Sequence, residues 1–540
     1  MDKSVKILIT GKLHEVALNL LNNQPLELSV TESLNIVYLP DAPRDVILKE
    51  IEDTNVLISR SETDVDATLL RAGKNLRIVA RAAVGYGNID CDLATELGIL
   101  VVNTPGKNTN SAAELTIGLL LSLLRKIPAA HSSTSEGGWN RHHFTGTELG
   151  GKTIGIVGLG NVGHRVAKFA KGFDMNVIAY DPYISDEVFR RNSTERKNTL
   201  EELLAESDVL SIHVPLNKET KGMITEVELK KMRKGSYVLN AARGGIITEK
   251  GLLKTLNEGY IAGAGIDTFD NEPKPLKELI SHPNVIVTPH IGASTLEAQY
   301  RIGETIAIQV LKALRGEIVD YPVNLPHVSL LGSGDLRKIS VLTEKTAHVA
   351  AQIFDFHPSL IKLNVKAGLS KEDLQILKLS CIKGFLSHAS DEFVSYVNAE
   401  RLLSRRGIQI EVNLNNSTSS KNEILLEVFG SNANEKISVG AVLYDGQLER
   451  LCSINDFLFE IEPNGDLIIM QNHDRPGVIG DVGSYLAKHN VNIAQFELSR
   501  NRRGGMAMSL IRIDGELESE VISGLRKLPN LISARLVSGL

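Results

Sequence analysis

Residues 152–163 read KTIGIVGLGNVG, and this segment determines the fold class of the central part of the chain. It joins a strand-like apolar run to three glycines, Gly158, Gly160 and Gly163, in the spacing G-x-G-x-x-G, and a helix-like segment follows. Gly158 permits a tight turn, Gly160 leaves room for a pyrophosphate, and Gly163 lets helix and strand pack closely. Free N–H groups at the start of the helix attract phosphate. The segment therefore predicts a dinucleotide-binding α/β unit.

An acidic residue follows the next strand-like run. Asp181 comes directly after NVIAY (176–180), and no Lys or Arg lies in the next few residues. A carboxylate at the end of this strand accepts hydrogen bonds from the ribose hydroxyls of a dinucleotide and repels a 2′-phosphate. The sequence therefore predicts NAD, and not NADP, as the cofactor.

Short apolar runs alternate with helical segments over the first 323 residues. Five runs rich in β-branched residues occur before residue 104, and six more occur between residues 152 and 290. This alternation is typical of parallel sheets with helical crossovers. We predict an α/β fold with two doubly wound parallel-sheet domains. A discontinuous substrate-binding domain is expected over 1–104 and 296–323, and a Rossmann NAD-binding domain over 105–295.

The chain changes character beyond residue 323. Residues 324–462 combine helices with a set of strands and carry no chemical motif, so we expect an intervening α+β domain there. Residues 463–540 follow the order β-α-β-β-α-β, which predicts a ferredoxin-like unit.

Composition narrows the class of protein. The chain has 540 residues, a net charge of −6 and a hydrophobic content of 42%, which indicates a globular protein without a basic surface for nucleic acid or membrane. Three widely spaced cysteines, Cys91, Cys381 and Cys452, form no redox or metal-binding pair and favour the reducing cytoplasm. No signal-peptide pattern and no apolar run of about 18 residues occur, so no membrane span is expected. No metal site is predicted.

Three polar residues stand just beyond three strand candidates of the NAD domain. Arg243 follows SYVLNAA, Glu272 follows IAGAGID, and His290 closes VIVTPH. Ligands bind outside the carboxyl ends of parallel strands, so we expect these side chains to converge. His290 suits a general base, Glu272 can hold its second ring nitrogen, and Arg243 can bind a carboxylate through two parallel hydrogen bonds. The pattern predicts hydride transfer at a 2-hydroxy acid.

The segments NAARGGIITE (240–249), AGIDTFDNEP (264–273) and VTPHIGAST (287–295) resemble the signature segments of the D-isomer-specific 2-hydroxyacid dehydrogenases. The resemblance implies catalytic roles for Arg243, Glu272 and His290. The NAD contacts that it implies, together with those of the glycine motif, are Val84, Gly158, Gly160, Asn161, Val162, Gly163, Asp181, Val214, Ala241, Ala242, Arg243, Asp267, His290, Ile291, Gly292 and Ala293.

The segments VARAAVGYGNID (79–90), TPGKNTNSAAELT (104–116) and GGWNRHHFTGTEL (137–149) resemble those of long family members that act on a phosphorylated substrate. The resemblance implies oxidation of D-3-phosphoglycerate to 3-phosphohydroxypyruvate, the first step of phosphorylated L-serine biosynthesis. A carboxylate and a phosphate together require positive charge at the site. The substrate contacts implied are Arg60, Arg81, Val84, Gly85, Arg141 and Arg243.

Two alternatives stay open from the sequence. One is a glyoxylate or hydroxypyruvate reductase on the same scaffold, although such reductases are usually shorter. The other belongs to a different class, an NAD-sensing corepressor that binds partner proteins, although the chain has no nuclear-localisation cluster and no long disordered tail.

The segments NHDRPGVIGDVG (472–483) and NVNIA (490–494) resemble ACT regulatory units, which typically dimerise and bind an amino acid. The resemblance implies serine as a feedback effector and a homotetrameric assembly. A purely structural dimerisation module is the alternative. The effector contacts implied are Asn472, Asp474 and Asn492.

Overall fold

The structure is a computed structural model, and it describes residues 4–23, 33–315, 319–325, 334–371, 373–388, 390, 394–416, 421–432, 434–515, 517 and 519–540. Within these residues the chain forms four β-sheets, and helices pack against each of them. The predicted fold class is confirmed: two doubly wound α/β units precede a mixed α+β unit and a ferredoxin-like unit.

The first domain consists of β1 (Val5–Ile9), α1 (Glu15–Asn23), β2 (Leu34–Tyr38), α2 (Arg44–Glu50), a 3-10 helix (Ile51–Asp53), β3 (Val56–Ser59), α3 (Ala67–Ala72), β4 (Ile78–Arg81), α4 (Cys91–Glu96) and β5 (Leu100–Val102). Its sheet is parallel, in the order β2-β1-β3-β4-β5. Every residue of β3 and β4 is buried. Continuous apolar strands are what a sheet covered on both faces requires.

The second domain begins with α5 (Thr109–Leu124), α6 (Ile127–Ser135) and a 3-10 helix (Arg141–Phe144). It continues with β6 (Thr153–Val157), α7 (Asn161–Lys171), β7 (Asn176–Tyr180), α8 (Asp186–Arg191), β8 (Glu195–Arg196), α9 (Leu200–Glu206), β9 (Val209–Ile212), α10 (Glu226–Leu229), β10 (Ser236–Asn240), α11 (Glu249–Asn257), β11 (Ile261–Ile266), α12 (Lys277–Ile280) and β12 (Val285–Val287). Helix α13 (Leu296–Leu314) follows and belongs to the first domain.

The second sheet is also parallel, in the order β12-β11-β10-β9-β6-β7-β8. The apolar helix α5 packs on α7 and on β10–β12, which buries half of its residues. Helix α13 instead packs on α1 and β4 of the first domain. The chain thus returns to its first domain after completing the second sheet, and a cleft forms between the two.

The third unit consists of α14 (Gly334–Ala351), β13 (Pro358–Ala367), α15 (Leu374–Ser387), α16 (Ala399–Arg405), β14 (Gln409–Asn416), β15 (Lys421–Gly430), β16 (Lys436–Tyr444), β17 (Leu448–Ile454) and β18 (Phe457–Ile461). Its sheet order is β14-β13-β15-β16-β17-β18, with only the β13–β14 pair parallel among the described pairs. Helices α14 and α15 pack against each other, and α14 lies on β15 and β16.

The C-terminal unit consists of β19 (Asp466–His473), α17 (Val478–Lys488), β20 (Asn492–Arg500), β21 (Met506–Asp514), α18 (Ser519–Leu525) and β22 (Leu531–Val537), with the sheet order β20-β21-β19-β22. The two central strands, β19 and β21, are buried on both faces. Ile468 and Met470 pack against its own helices, whereas Leu467 and Ile469 join the core of the third unit. The third and fourth units therefore share one hydrophobic core.

No helix in the described ranges is long and apolar enough to span a membrane. The described residues also contain no group of three or more His, Cys, Asp or Glu side chains that could hold a metal ion.

His213, whose carbonyl oxygen lies against Gly158, leads to a prediction about how stability depends on pH. Desolvation lowers the pKa of His213 to about 4, and its Nε2 lies 2.8 Å from Ser211 Oγ. Between pH 6.5 and 4 the unfolded chain binds a proton here that the native protein does not, so stability falls as the pH falls through this window. The loss reaches at most about 1.4 kcal/mol per pH unit. Denaturant midpoints at pH 7 and pH 5 measure it.

His213→Asn should make the midpoint less sensitive to acid than in the native sequence. His131→Asn, at an exposed position on α6, is the matched control and should keep the native sensitivity. An identical acid sensitivity in the His213 and His131 variants contradicts the assignment.

Candidate active site

The turn between β6 and α7 excludes side chains at two of its three glycines. Gly158 has φ +91°, and a Cβ there would lie 2.8 Å from the His213 carbonyl oxygen. A Cβ at Gly163 would lie 2.0 Å from the Gly158 carbonyl oxygen, so helix and strand meet backbone to backbone. At Gly160, the N-cap of α7, a Cβ would have no described heavy atom within 4 Å. This open space fits a pyrophosphate bound at the helix N-terminus.

Asp181 is held toward this turn by two backbone amides. Its Oδ2 accepts a hydrogen bond from Leu159 N at 3.0 Å, and its Oδ1 accepts one from Tyr183 N at 3.0 Å. Strand β6 has β7 on one side and β9 on the other, so the strand order reverses here, where dinucleotides bind. The glycine turn and the carboxylate together fit NAD.

Other residues predicted to contact the cofactor lie along the same edge of the sheet. Residues 161–162 begin α7, Val214 follows β9, and residues 241–242 follow β10. Val214 packs on the turn, since a Cβ at Gly158 would lie 2.7 Å from its Cγ1. The structure thus brings these positions together at one rim of the cleft.

His290 and Glu272 form a hydrogen-bonded pair at this rim. His290 Nδ1 lies 2.7 Å from Glu272 Oε2, and the other carboxylate oxygen accepts a hydrogen bond from Phe269 N at 2.9 Å. Both side chains are partly exposed, at 44% and 37%. With Nδ1 facing the carboxylate, Nε2 is the ring nitrogen left to accept a proton from a ligand.

A buried carboxylate holds the loop that carries His290. Asp267 is fully buried, and its Oδ1 accepts hydrogen bonds from Thr288 Oγ1 at 2.6 Å and from Ile291 N at 2.8 Å. Its Oδ2 accepts one from Gly292 N at 2.9 Å. Burial raises the pKa of Asp267, and these hydrogen bonds oppose the rise. Asp267 was predicted as a cofactor contact, but both of its carboxylate oxygens accept hydrogen bonds from this loop.

Three arginines, Arg60, Arg81 and Arg243, lie close together at the cleft. Arg81 is only 5% exposed, and burial, with Arg60 and Arg243 nearby, lowers its pKa to about 10 against the opposing charge of Glu62. Arg81 Nη1 and Arg60 Nε are buried without a hydrogen-bond partner in the described structure. Buried donors without partners are costly, so this cluster is suited to binding an anion.

The first domain supplies the Arg81 side of the cleft through the loop after β4. Arg81 Nε donates to the Gly85 carbonyl oxygen at 2.9 Å, and Asn103 Nδ2 donates to that of Val84 at 2.8 Å. A Cβ at Gly85 would lie 2.7 Å from Arg243 Nη2, so the two domains touch here. Burial lowers the pKa of Arg243, and the charge of Glu272 opposes the shift.

Arg141 is not brought into this cluster. It is exposed on a 3-10 helix, and it is not among the charges acting on Arg81. Within one chain the structure therefore gathers five of the six predicted substrate contacts.

The predicted effector residues do not meet within one chain. Asn472 pairs with Ala507 on β21, whereas Asn492 pairs with Asp514. These partners are separated by seven residues of one strand, about 23 Å at 3.3 Å per residue. Asp474 lies beside Asn472 in sequence and accepts hydrogen bonds from Gly504 N at 2.8 Å and Arg500 Nη1 at 3.3 Å. A ligand touching both ends of the sheet needs two copies of this unit.

Sequence reasoning missed one connecting residue. Gln299 Oε1 accepts a hydrogen bond from Arg60 Nη1 at 2.8 Å, and its Nε2 donates to the Ala293 carbonyl oxygen at 2.8 Å. It therefore joins Arg60 to the loop that carries His290. The sequence offered one signal: Gln299 is one turn beyond Thr295, the N-cap of α13.

Comparisons with known proteins agree with this site. Residues 117–292 match the family model of the D-isomer specific 2-hydroxyacid dehydrogenase NAD binding domain. Residues 335–455 match that of the D-3-phosphoglycerate dehydrogenase intervening domain, and residues 467–530 match that of the ACT domain.

Relatives extend the similarity over the full length. The D-3-phosphoglycerate dehydrogenase of Methanocaldococcus jannaschii is 36% identical over 536 residues, 99% of this chain and 100% of the relative. That of Bacillus subtilis is 35% identical and covers 90% of this chain and 93% of the relative. Among solved structures, TT0316 from Thermus thermophilus superposes with a TM-score of 0.54 and 32% identity, covering 59% of this chain and 100% of that one.

The fold and the cleft define an NAD-dependent oxidoreductase. The chain belongs to the D-isomer-specific 2-hydroxyacid dehydrogenase family and, within it, to the D-3-phosphoglycerate dehydrogenases.

The glycine turn predicts opposite effects for two alanine substitutions, one on NAD binding and one on stability. Gly160→Ala should leave stability unchanged because its Cβ meets open space, yet weaken NAD binding roughly tenfold or more by blocking the pyrophosphate. Gly163→Ala should lower the unfolding free energy by roughly 3 kcal/mol because its Cβ collides with backbone. Thermal unfolding without cofactor and NADH fluorescence titration measure the two effects. Equal destabilisation by both variants would refute this reading.

Proposed function

We propose that the enzyme oxidises D-3-phosphoglycerate to 3-phosphohydroxypyruvate with NAD. The observation that carries this proposal is the meeting of the His290–Glu272 pair with Arg60, Arg81 and Arg243 at one rim of the cleft. A general base and a cluster of guanidinium groups are what an alcohol bearing a carboxylate and a phosphate requires.

His290 acts as the general base. Its Nδ1–H donates to Glu272, which fixes the tautomer and leaves the Nε2 lone pair to take the proton of the C2 hydroxyl. The Glu272 carboxylate then stabilises the imidazolium that forms. Bound NAD supplies the acceptor for the hydride that leaves C2.

The arginines bind and orient the substrate. Arg243 grips the substrate carboxylate and polarises the C2 oxygen, and the backbone amides of Val84 and Gly85 add donors to the same carboxylate. Neither amide is used by another described residue. Arg60 and Arg81 face the phosphate, whose charge relieves their mutual repulsion. Arg141 joins them only if another chain contributes it.

The proposal also includes the cofactor preference, the cofactor contacts, the domain boundaries and the location of the enzyme. Asp181 selects NAD over NADP, and the residues of the glycine turn and of the 290–293 loop contact the cofactor. We place the domain boundaries at 1–104 with 296–323, 105–295, 324–462 and 463–540, and the enzyme in the cytoplasm. No observation favours the corepressor reading. The reductase reading rests on structural likeness, such as that to a glyoxylate reductase from Paecilomyes thermophila with a TM-score of 0.53 and 29% identity.

Steady-state assays of NADH formation test the catalytic assignment. His290→Ala should lower kcat by a factor of about 10² to 10⁴, as expected for loss of a general base. Arg243→Ala should raise KM and lower kcat together because it contacts both the carboxylate and the reacting oxygen. His282→Ala, on the turn before β12, is the control and should retain native rates.

The same assay separates the two enzyme readings. The native enzyme should prefer D-3-phosphoglycerate to unphosphorylated D-glycerate by at least about a hundredfold in kcat/KM, because only the phosphate fills the arginine cluster. Equal use of both substrates would make the enzyme a reductase-type member, and native rates in both site variants would refute the site.

The ACT domain carries a second part of the proposal, an amino-acid effector bound between two chains. Asn472 Oδ1 is buried and has no partner in the described structure, and the N-terminus of α17 is uncapped by side chains at Gly477, whose φ is +99°. Such a terminus favours a carboxylate. With Asn492 contributed by the partner chain in a homotetramer, serine would fit between them.

Serine titration of the activity tests this. Serine should inhibit the native enzyme, and Asn492→Ala should shift the inhibition to roughly tenfold higher serine or more because a hydrogen bond to the effector is lost. Asn413→Ala, on the exposed edge strand β14, is the matched control and should keep native sensitivity. Full activity of the native enzyme at high serine would make the ACT domain a structural module.

A further inference from the structure

The third domain contacts the first domain at the turn between α4 and β5. Ser395 Oγ donates to the Gly98 carbonyl oxygen at 3.0 Å. Gly98 has φ +75°, and a Cβ there would lie 2.3 Å from Asn398 Nδ2. Asn398 is only 3% exposed, and its Oδ1 accepts a hydrogen bond from Ser395 N at 2.8 Å. We call residues 394–398 the docking loop.

The chain segment that enters the third domain holds the same turn from another side. Asn324 Nδ2 donates to the Ile99 carbonyl oxygen at 2.8 Å and to Thr95 Oγ1 at 3.1 Å, and its Oδ1 accepts a hydrogen bond from Val101 N at 2.9 Å. The next residue, Leu325, packs against the core of the third domain. The end of α4 is therefore fixed by two separate segments.

The docking loop is anchored inside the third domain. Tyr396 OH donates to Glu344 Oε2 at 2.8 Å, and Lys383 Nζ donates to Glu344 Oε1 at 2.5 Å. The same ammonium group lies 4.7 Å from the centre of the Tyr396 ring. Any shift of α14, which carries Glu344, must therefore strain or move the docking loop.

Helix α14 also contacts the ACT domain. His348 lies one turn after Glu344 on the same face, and its Nε2 lies 2.7 Å from the Ser538 carbonyl oxygen, just beyond β22. One helix thus contacts the residue that follows the last strand of the ACT domain and also carries Glu344, the anchor of the docking loop.

On the other side, α4 leads directly to the substrate-binding loop. The helix has six residues, about 9 Å of rise, and starts at its N-cap Asp90, which accepts a hydrogen bond from Leu93 N at 3.1 Å. The preceding residues 83–89 carry Val84 and Gly85. Gly85 in turn lies against Arg243 and accepts the hydrogen bond from Arg81.

We propose that the docking loop positions residues 83–89 for substrate binding, with Ser395 and Tyr396 as positioning residues. This role rests on the proposed function, because it concerns binding of the same substrate carboxylate. The loop touches Gly98 in the turn that ends α4, and α4 joins this turn to residues 83–89, which carry the amides of Val84 and Gly85 beside Arg243. A displacement of about 1 Å of these amide donors weakens substrate binding, because they contact only the carboxylate.

Kinetics of conservative variants test the proposal. Tyr396→Phe removes the hydroxyl that reaches Glu344, and Ser395→Ala removes the bond to Gly98. Each should raise KM for D-3-phosphoglycerate roughly three- to tenfold, with kcat and KM for NAD within about twofold of native, because only the position of the substrate loop changes. Ser395→Thr, which keeps the hydroxyl, should restore the native KM. Tyr444→Phe, at the end of β16 in the same domain, is the matched control.

Hydrogen–deuterium exchange on the full-length variants gives a readout that needs no substrate. Amides of residues 83–97 should exchange faster in Tyr396→Phe and Ser395→Ala than in the native enzyme or in Tyr444→Phe. The positioning role would be overturned by native exchange rates in this segment. It would also be overturned if the variants lowered kcat and raised the KM values for D-3-phosphoglycerate and for NAD by similar factors. If exchange changes as expected but no variant or native enzyme turns over D-3-phosphoglycerate, the proposed function fails while the docking contact stands.

Discussion

The geometry of the candidate active site depends on one buried carboxylate. Asp267 is removed from solvent, and it receives a hydroxyl and two backbone amides from residues 288–292. This loop places His290 at φ +53°, a conformation that non-glycine residues adopt rarely and that needs support from the surroundings. Burial alone would penalise the ionised carboxylate, so the three donors also stabilise Asp267. Carboxylate and loop therefore hold each other in place.

The consequences extend into both domains of the cleft. The organised loop lets His290 meet Glu272, and it ends near Ala293, whose carbonyl oxygen binds Gln299. Gln299 continues the connection to Arg60 of the first domain. The arginine cluster is then set on the same side as His290, although burial and the mutual repulsion of its charges disfavour the cluster without an anion. The site is therefore built to be completed by a negatively charged ligand.

Most of the features that could be predicted from the sequence depend on patterns among residues that are close together in the chain. The glycine spacing, Asp181 and the apolar runs each depend on neighbours in sequence, and the structure has the turn, the carboxylate and the strands as expected. The convergence of Arg243, Glu272 and His290 was predictable because the carboxyl ends of parallel strands meet at one edge. Gln299 was not, since its role comes from contacts between segments far apart in the chain.

The C-terminal half shows the same limit. Its β-α-β-β-α-β order was evident, yet nothing local indicated that Leu467 and Ile469 face another domain instead of solvent. The placement of Asn472 and Asn492 at opposite ends of the sheet also follows only from strand pairing. In both cases sequence patterns specify the units, and the contacts between units depend on the assembled surfaces.

Turnover by Asp267→Asn tests the account most directly. An amide of equal size keeps one acceptor oxygen but turns an N–H group toward Gly292 N, so the loop should lose its support while the core remains filled. The account predicts that kcat falls by about 10² or more, because His290 no longer faces the substrate. Thermal unfolding and secondary structure should stay close to native. Native kcat in a folded Asp267→Asn enzyme would contradict it.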